Sequence, residues 1–275
     1  MAEAGSAHLV QALRASDPDR YLAALYAPPE KREALFALYA FNAEISGIRD
    51  RIREALPGEL RLQWWRDVIS ARGQGEATGH PVADALIAAM QQHALPEAAL
   101  QNYLDARIFD LYDDPMPSRT DLEGYCGEIF GAILQLSALI LDAPAAPGIS
   151  AAAGHAACAQ GIAAMLHALP VHRARGQCFV PKEILASVGT TPEDFVTGKD
   201  DASARRAVDA MIALGREHLS AFGTGAAKLP ALAKSVGQSA KILKTEMKSV
   251  AHDDDAPVAA SEVPRAASSG TPTKL

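Results

Sequence analysis

Three features of the sequence predict an all-α fold. Alanine, the strongest helix former, dominates the composition, while the aromatic residues that favour strands make up only 5% of the chain. No segment alternates apolar and polar residues over the length of a strand, and no βαβ pattern recurs. Apolar residues instead recur every three or four positions, which is typical of helices packed on a core. The clearest stripe is Leu35, Leu38, Phe41, Ile45 and Ile48.

The length and net charge of the chain limit its domain organisation and its classes of partner. A chain of 275 residues with 49% hydrophobic and 21% charged residues is long enough for one large globular domain. We predict a helical domain over residues 1–252 and a disordered tail over 253–275, where Ser, Pro and Ala replace periodic apolar residues. The net charge of -7 argues against nucleic acid as a partner. Three irregularly spaced cysteines indicate neither a disulfide framework nor a zinc site.

Proline, glycine and capping residues divide the chain into helices. Breaks are expected at Pro28-Pro29 and Pro57-Gly58 and after Leu169, and Thr120 or Asp121 is expected to cap the apolar helix that follows it. Short helices are expected after Pro181 and Thr191. The longer predicted helices are Leu9–Ala15, Arg20–Tyr26, Lys31–Leu56, Glu59–Ala71, Pro81–His93, Glu97–Tyr112, Thr120–Leu141, Ser150–Leu169, Asp200–Leu219 and Ala226–Val250.

The sequence predicts a cytoplasmic protein that could also touch a membrane peripherally. No run reaches about 18 uncharged apolar residues, and residues 1–19 lack the pattern of a secretory signal. The stretch from Lys228 to Lys248 interleaves five lysines with apolar residues. Such a helix can lie on an anionic surface such as the inner membrane, or it can close the helical domain with its lysines in solvent.

Two polar clusters are candidates for chemistry. Asp110, Asp113 and Asp114 have the spacing of a helix-borne metal site, but the prolines that follow favour a solvated helix end. The segment from His167 to Arg175 offers a base or a phosphate clamp, or simply a basic loop over a helix end. The glycines from Gly124 to Gly131 have a spacing that allows two helices to approach closely.

Five motifs, in order, give the chain a resemblance to squalene and phytoene synthases. The resemblance covers most of the chain, from about Asp19 to about Leu243. The motifs are Tyr39-Ala40-Phe41, Arg61–Arg66 (RLQWWR), His80-Pro81-Val82, Tyr125–Gly131 (YCGEIFG) and Gly176–Pro181 (GQCFVP). The resemblance implies the isoprenoid-synthase fold, a single helical domain around a central apolar cavity. We expect Leu35, Leu38, Phe41, Phe130, Ile133, Leu134 and Leu166 to line or flank that cavity.

The chain departs from this family where the family holds its metal ions. Active members carry two aspartate-rich motifs that bind Mg²⁺ on prenyl diphosphates. At the first motif this sequence has Ser46 and Gly47 in place of the paired aspartates, and only Asp50 remains. At the second, residues 164–176 contain no Asp, Glu or Asn. Because ionisation of a diphosphate needs metal ions, we expect no Mg²⁺-dependent turnover and assign no catalytic or metal residues.

A divergent branch of the family shares this loss. It comprises complex I assembly factors of mitochondria and their bacterial relatives, whose motifs are similar to Phe41-Asn42-Ala43-Glu44 and to residues 161–172. The resemblance implies a non-catalytic protein that binds a lipid or assists respiratory complex assembly. Two alternatives stay open: an active prenyltransferase, which would need Mg²⁺, and an inactive subunit that supports a synthase.

The same resemblance suggests which residues contact a ligand. The ligand would be a prenyl lipid or diphosphate, and a protein partner is the other candidate. The expected binding residues are Tyr39, Asn42, Glu44, Asp50, Arg173 and Arg175.

Overall fold

The computed structural model describes residues 2–71, 77–198 and 201–226, and this part of the chain is helical without any strand. The all-α prediction is therefore confirmed. The helices are α1 (Ala2–Ser16), α2 (Pro18–Leu25), α3 (Pro29–Ser46), α4 (Ala55–Ser70), α5 (Pro81–His93), α6 (Glu97–Ala106), α7 (Arg119–Cys126), α8 (Ala132–Asp142), α9 (Ser150–His167), α10 (Leu169–Ala174), α11 (Lys182–Ser187), α12 (Pro192–Thr197) and α13 (Asp201–Ala226). The predicted helix from Ala226 to Val250, its lysine stretch and the tail over 253–275 lie outside the described residues.

Side-chain caps start several helices. The Asp17 carboxylate accepts a hydrogen bond from the backbone N–H of Arg20 at the start of α2, and Thr191 does the same for Asp194 in α12. His80 caps α5 in the same way. The cap of α7 is Ser118, slightly earlier than predicted, because its hydroxyl accepts from the N–H of Asp121 at 3.1 Å.

The predicted helix Lys31–Leu56 is wrong at its C-terminal end. Helix α3 ends at Ser46, a 3-10 turn covers Arg49–Arg51, and α4 begins at Ala55. Pro57 does not break the chain because it sits in the first turn of α4, where a missing N–H costs no helical hydrogen bond. Gly58 is required there, since a Cβ would lie 2.7 Å from side-chain atoms of Ile52 and Leu111.

A second proline, Pro170 after α9, was also wrongly predicted to end a helix. Helix α9 was expected to stop at Leu169, yet Leu169–Ala174 form the short helix α10 with Pro170 in its first turn. Two other expected helices are modified locally. The helix predicted to reach Tyr112 becomes a 3-10 turn at Arg107–Leu111, and a π-helical turn at Gly127–Gly131 joins α7 to α8.

Two large hydrophobic clusters form most of the core, and two smaller ones lie near α8, α9 and α13. The larger one joins α1 to α6 with α8 and contains the buried aromatic rings of Phe41, Trp65 and Tyr103. The second lies among α7 and α9 to α13. The π-helical turn packs on α9 at Gly161, where a Cβ would come within 2.5 Å of the Cys126 sulfur. The close helix approach expected at Gly124–Gly131 is thus made mainly by the glycine on the other helix.

Two helical segments are long and apolar enough to cross a membrane by length and composition. They are Arg119–Asp142 and Ala146–His167. In the most apolar 18-residue stretch of each segment, 44% and 50%, respectively, is buried inside the fold. The first includes Ala132–Leu141, which its sequence predicts to be a buried core helix. Ile133, Leu136 and Ile140 do lie in the larger cluster. Core helices of water-soluble proteins have the same composition, so the two segments do not by themselves define a membrane protein.

Candidate functional site

A cavity of about 550 Å³ lies between the two core clusters. Its walls come from the end of α1, the start of α2, the last turn of α3 with the 3-10 turn after it, and the C-terminal end of α9 with α10. Its size is in the range of small-ligand sites. The lining residues are Ser16, Asp17, Arg20, Asn42, Ala43, Ser46, Gly47, Arg49, Asp50, Arg107, Asp110, Tyr125, Phe130, Ala164, Met165, Ala168, Val171, His172, Arg175, Gln177 and Phe179.

Ion pairs dominate one side of the cavity. Arg20 binds Asp17 through Nη1 at 2.6 Å, and Arg107 binds Asp110 through Nη1 at 2.9 Å. The third pair joins opposite walls, because Nη2 of Arg175 after α10 lies 2.7 Å from Oδ1 of Asp50 after α3. Each of the three aspartates in the lining is therefore held by an arginine.

Arg49 is the fourth arginine of the lining and is held differently. Its Nη2 donates to Asp113 at 3.3 Å, and Asp113 is more than half exposed and lies outside the cavity lining. The Arg49 side chain is only 15% exposed, and its Nε is buried without a hydrogen-bond partner. A buried N–H without an acceptor costs free energy, so this group stands out in the site.

A buried polar chain supports the floor of the cavity. The Tyr103 hydroxyl donates to Oδ1 of Asn42 at 2.9 Å and accepts from Nε of Arg107 at 3.3 Å. Burial raises the pKa of Tyr103, so the phenol stays protonated and can donate. Burial opposes the charge on Arg107, but the Asp110 carboxylate beside it raises its pKa, and the guanidinium stays charged.

Asp110 is not the solvated residue that the sequence predicted. It accepts a 2.5 Å hydrogen bond from the Tyr125 hydroxyl in addition to its ion pair with Arg107, and its side chain is only 16% exposed. Burial and the Asp110 charge hold the pKa of Tyr125 well above its usual range. Asp113 and Asp114 are exposed as expected. The three acids therefore lie in different surroundings and do not form a metal site.

The opposite side of the cavity is apolar. Ala164, Met165 and Ala168 from the end of α9 form this wall together with Val171 and Phe130. His172 stands at its edge with its ring 4.5 Å from that of Phe179. Burial lowers the pKa of His172, so the imidazole is neutral near pH 7.

The structure brings three of the six expected binding residues to the cavity. Asn42, Asp50 and Arg175 line it.

The other three residues lie elsewhere. The Tyr39 hydroxyl accepts from Ser137 of α8 at 3.1 Å between core helices. Glu44 bonds His80 at 3.1 Å on the side of α5. Arg173 donates to the carbonyl of Val196 and lies over the Phe195 ring.

Seven apolar side chains were expected to line or flank the cavity, and few of them belong to its lining. Of the seven side chains named for it, only Phe130 lines the cavity. Leu35, Leu38, Phe41 and Ile133 instead pack tightly into the larger core cluster. The stripe of α3 was correctly recognised as buried, but a helical stripe does not show whether its partner is a side chain or an empty space.

Sequence reasoning also missed most of the charged lining. None of the sequence motifs contains Arg20, Arg49 or Arg107. The aspartates that pair with Arg20 and Arg107 are close to them along the chain, whereas the partner of Arg49 is distant in sequence. The available signal for Arg49 was its position directly before Asp50, next to the degenerate first motif. Arg107 gave none, because a buried arginine cannot be distinguished from an exposed one by helical periodicity.

The donor set does not fit Mg²⁺. Ser46 and Gly47 line the cavity at the positions where the resemblance expected aspartates, and the facing α9 wall offers only Ala164, Met165 and Ala168. The carboxylates that remain are each engaged by an arginine. Across the described residues, no three His, Cys, Asp or Glu side chains come together as a metal site.

The helical architecture and this cavity define an isoprenoid-synthase-type fold. A family model described as squalene/phytoene synthase matches residues 13–267, and the chain belongs to that family. The match extends from the end of α1 beyond the last described residue and thus includes every residue that lines the cavity.

Relatives by sequence fall into two groups. The chain is 30% identical over 212 residues to "NADH dehydrogenase (ubiquinone) complex I, assembly factor 6" of Homo sapiens, covering 77% of this chain and 63% of that protein, and 31% identical to the Bos taurus protein with the same coverage. The chain thus spans less than two thirds of these relatives. It is also 29% identical over 175 residues to presqualene diphosphate synthase of Rhodopseudomonas palustris, covering 63% and 62% of the two chains.

Solved structures confirm the fold. Squalene synthase HpnC from Alicyclobacillus acidocaldarius superposes with a TM-score of 0.75 at 17% identity, covering 92% of this chain and 95% of that chain. A dehydrosqualene synthase in complex with ligand gives a TM-score of 0.76 at 16% identity, covering 91% and 86%. At such identities the likeness concerns the fold alone.

Proposed function

We propose that this chain is a non-catalytic member of the squalene/phytoene synthase family that binds a lipid and assists assembly of a respiratory NADH dehydrogenase complex. The proposed loss of catalysis is inferred from one feature, the carboxylates of the cavity. The cavity is retained, but its remaining carboxylates are engaged by arginines and its α9 wall carries none. A prenyl diphosphate would meet no carboxylate pair free to hold the metal ions that ionise it.

The assembly role rests on the relatives. The proteins that match over 77% of this chain are named as complex I assembly factors in Homo sapiens and Mus musculus. We infer the same kind of partner for this chain, a protein of the respiratory complex. The cavity supports a ligand in addition, since a site that is half ionic and half apolar suits an amphiphile.

A prenyltransferase is the second candidate function. It is favoured by the relatedness to presqualene diphosphate synthase of Rhodopseudomonas palustris. The reaction would need Mg²⁺ in the cavity. Ser46 and Gly47 stand where the family has metal-binding aspartates, which argues against this function. We therefore propose that the chain needs no resident cofactor.

Product analysis separates the two candidates. The purified full chain is incubated with farnesyl or geranylgeranyl diphosphate and Mg²⁺, with an active squalene synthase as the positive control. We expect no squalene, no phytoene and no cyclopropyl precursor. Any of these products at catalytic yield contradicts the non-catalytic proposal and supports the prenyltransferase.

A deletion strain tests the assembly role. We expect loss of the gene in its own organism to reduce assembled NADH dehydrogenase on native gels, and the wild-type chain to restore it. Gly154→Ala is a suitable control variant for restoration, because Gly154 has open space around its Cα. Normal amounts of assembled complex in the deletion strain contradict the role.

We propose a cytoplasmic location with peripheral contact to the membrane that holds the respiratory complex. The sequence from Lys228 to Lys248 motivates the contact, because each lysine near an anionic surface contributes about 1 kcal/mol. In flotation with anionic vesicles at low salt, we expect the chain to float. Replacing Lys241, Lys244 and Lys248 by Gln should abolish flotation, and unchanged flotation of that variant contradicts the proposed contact.

A further inference from the structure

We propose that Cys126 and Cys158 form a reversible disulfide when the chain is exposed to hydrogen peroxide. The bond would join the last residue of α7 to the middle of α9. Both residues are free thiols in the structure, and neither of them lines the cavity. The inference therefore goes beyond the proposed function and does not depend on a bound ligand.

The packing of α7 on α9 brings the two thiols together. A Cβ on Gly161, one turn after Cys158 on α9, would lie 2.5 Å from Sγ of Cys126. Sγ of Cys158 donates to the carbonyl oxygen of Glu123, one turn before Cys126 on α7, at 3.9 Å. Each sulfur thus touches the helix that carries the other, and the Cys126 thiol donates a hydrogen bond to the Cys158 sulfur. Direct contact between two sulfurs is the arrangement from which a disulfide forms.

The two thiols differ in reactivity. The hydrogen bond from Cys126 lowers the pKa of Cys158, although burial opposes the change. The same hydrogen bond, together with burial, raises the pKa of Cys126. Cys158 is also the more exposed of the two residues, at 6% against 0%. Because the thiolate is the reactive form of cysteine, Cys158 is the thiol that meets the peroxide first.

Cys178 offers a matched comparison within the same hydrophobic cluster. It is 3% exposed, between the values of the other two cysteines. Its thiol donates to the carbonyl of Val180 at 3.6 Å, and burial raises the pKa of Cys178 to about 11. We expect Cys178 to stay reduced, since a buried thiol with a raised pKa is inert.

Hydrogen peroxide accepts the two electrons that the disulfide releases. The Cys158 thiolate attacks one peroxide oxygen, the O–O bond breaks, and Cys158 becomes a sulfenic acid. The other oxygen leaves as hydroxide and takes up the proton that Cys158 had lost. The Cys126 sulfur then attacks the Cys158 sulfur, the S–O bond breaks, and the departing hydroxide takes the Cys126 proton. Two thiols and one peroxide thus give one disulfide and two waters, and dithiothreitol reverses the bond by thiol exchange.

The bond would act on a contact that reaches the cavity. Phe130 lies in the π-helical turn directly after Cys126, and its ring packs where a Cβ on Gly161 would be 3.0 Å away. Phe130 also lines the cavity, as do residues at the C-terminal end of α9. A disulfide between Cys126 and Cys158 would hold these two walls together.

Counting of thiols in the purified full chain tests the proposal. The reduced chain is treated with a small excess of hydrogen peroxide, quenched with catalase and titrated with Ellman's reagent in urea. We expect the three thiols of the reduced chain to fall to one, and dithiothreitol to restore all three. Trypsin with Glu-C cuts after Glu128 and Arg175 and so places each cysteine in a separate peptide, and mass spectrometry then identifies the joined pair.

Single variants test the order of the reaction. Cys126→Ala should stop at the sulfenic acid on Cys158, which dimedone traps. Cys158→Ala should give about 10-fold less dimedone adduct, because the raised pKa of Cys126 keeps it protonated. Cys178→Ala is the matched control and should form the disulfide at the wild-type rate. Circular dichroism of each reduced variant checks its fold.

Three results would overturn the inference: three titratable thiols after peroxide treatment, a disulfide between two chains in place of one within the chain, or loss of Cys178 as fast as loss of the other two cysteines. The peptide map of the wild-type chain decides among these results, so the test does not depend on the folding of any variant. Product formation and complex assembly test the proposed function separately.

Discussion

Tyr103 is fully buried and holds together the polar chain under the cavity. Tyr103→Phe removes the donor to Asn42 and the acceptor for Arg107 while keeping the ring. We expect the free energy of unfolding to fall by about 1–3 kcal/mol, because two buried polar groups each lose a partner. Urea denaturation of both proteins at pH 7.5 measures the difference.

Tyr112 provides the matched control. Its hydroxyl bonds Glu59 but its side chain is exposed, so water can replace the lost partner in Tyr112→Phe. We expect a change within about 0.5 kcal/mol. Equal losses in the two variants would show that the polar chain at Tyr103 contributes nothing beyond an ordinary surface hydrogen bond.

His172 predicts a pH dependence of stability. Burial lowers its pKa below the ordinary 6.5, the nearby Arg175 lowers it further, and Asp110 partly opposes the shift. Between the lowered value and 6.5 the unfolded chain binds more protons than the folded one. Stability should therefore be full above about pH 6.5 and fall as the pH drops from there toward the lowered pKa.

His172→Gln isolates this contribution. The pKa of His93 is also lowered, chiefly by burial, so the wild-type chain loses stability from both residues. We expect the variant to lose less than the wild type between about pH 7.5 and 5.5 in urea denaturation. The same loss in both proteins would exclude His172 as a source of the pH dependence.

At the scale of helices, the contact of α9 with the π-helical turn depends on Gly161. A Cβ there would lie 2.5 Å from the sulfur of Cys126 and 3.0 Å from the ring of Phe130. We expect Gly161→Ala to lower the free energy of unfolding by about 1–3 kcal/mol through overpacking. Guanidinium denaturation followed by circular dichroism measures it.

Gly154 lies two turns earlier on the same helix, and a Cβ added to it would have no neighbour within 4 Å. Gly154→Ala should stabilise the chain by roughly 0.5–1 kcal/mol, since alanine reduces the freedom of the unfolded chain at no steric cost. Opposite signs for the two substitutions are thus expected on one helix. A gain in stability for Gly161→Ala would contradict the close approach.

On the scale of the whole molecule, a metal site of this family needs carboxylates on two facing walls. Ser46→Asp with Gly47→Asp restores one wall only, because Ala164, Met165 and Ala168 still face it. We expect no product from farnesyl diphosphate and Mg²⁺, measured by mass spectrometry of the extracted lipids. Squalene or its cyclopropyl precursor from this double variant would show that one restored wall suffices.

The single variant Gly47→Ala is a control for the effect of added side-chain volume in that experiment. A Cβ on Gly47 would lie 2.9 Å from Nη2 of Arg51, the end of a flexible side chain that can move. Gly47→Ala alone should therefore fold with a modest loss of stability. Its thermal unfolding, compared with that of the double variant, shows whether inactivity arises from missing ligands or from a damaged fold.

The sequence by itself determined the fold class, most helix positions and the loss of the aspartate motifs. Helical periodicity, caps and motif order are local properties, and they can be read directly from the chain. The helices at Pro81–His93 and from Ser150 agree with the structure for this reason. Pro57 and Pro170 were misread because proline fits the first turn of a helix as well as it breaks one.

Only the tertiary structure decided which side chains line the cavity and how their charges are paired. Arg175 meets Asp50 across 125 positions of sequence, and the wall opposite them belongs to α9. Arg107 carries no local signal, and Arg49 only its position directly before Asp50, because burial and the positions of the carboxylates decide how each arginine is held. The charge balance of a cavity is a sum over side chains from many helices, so it exists only once those helices have packed.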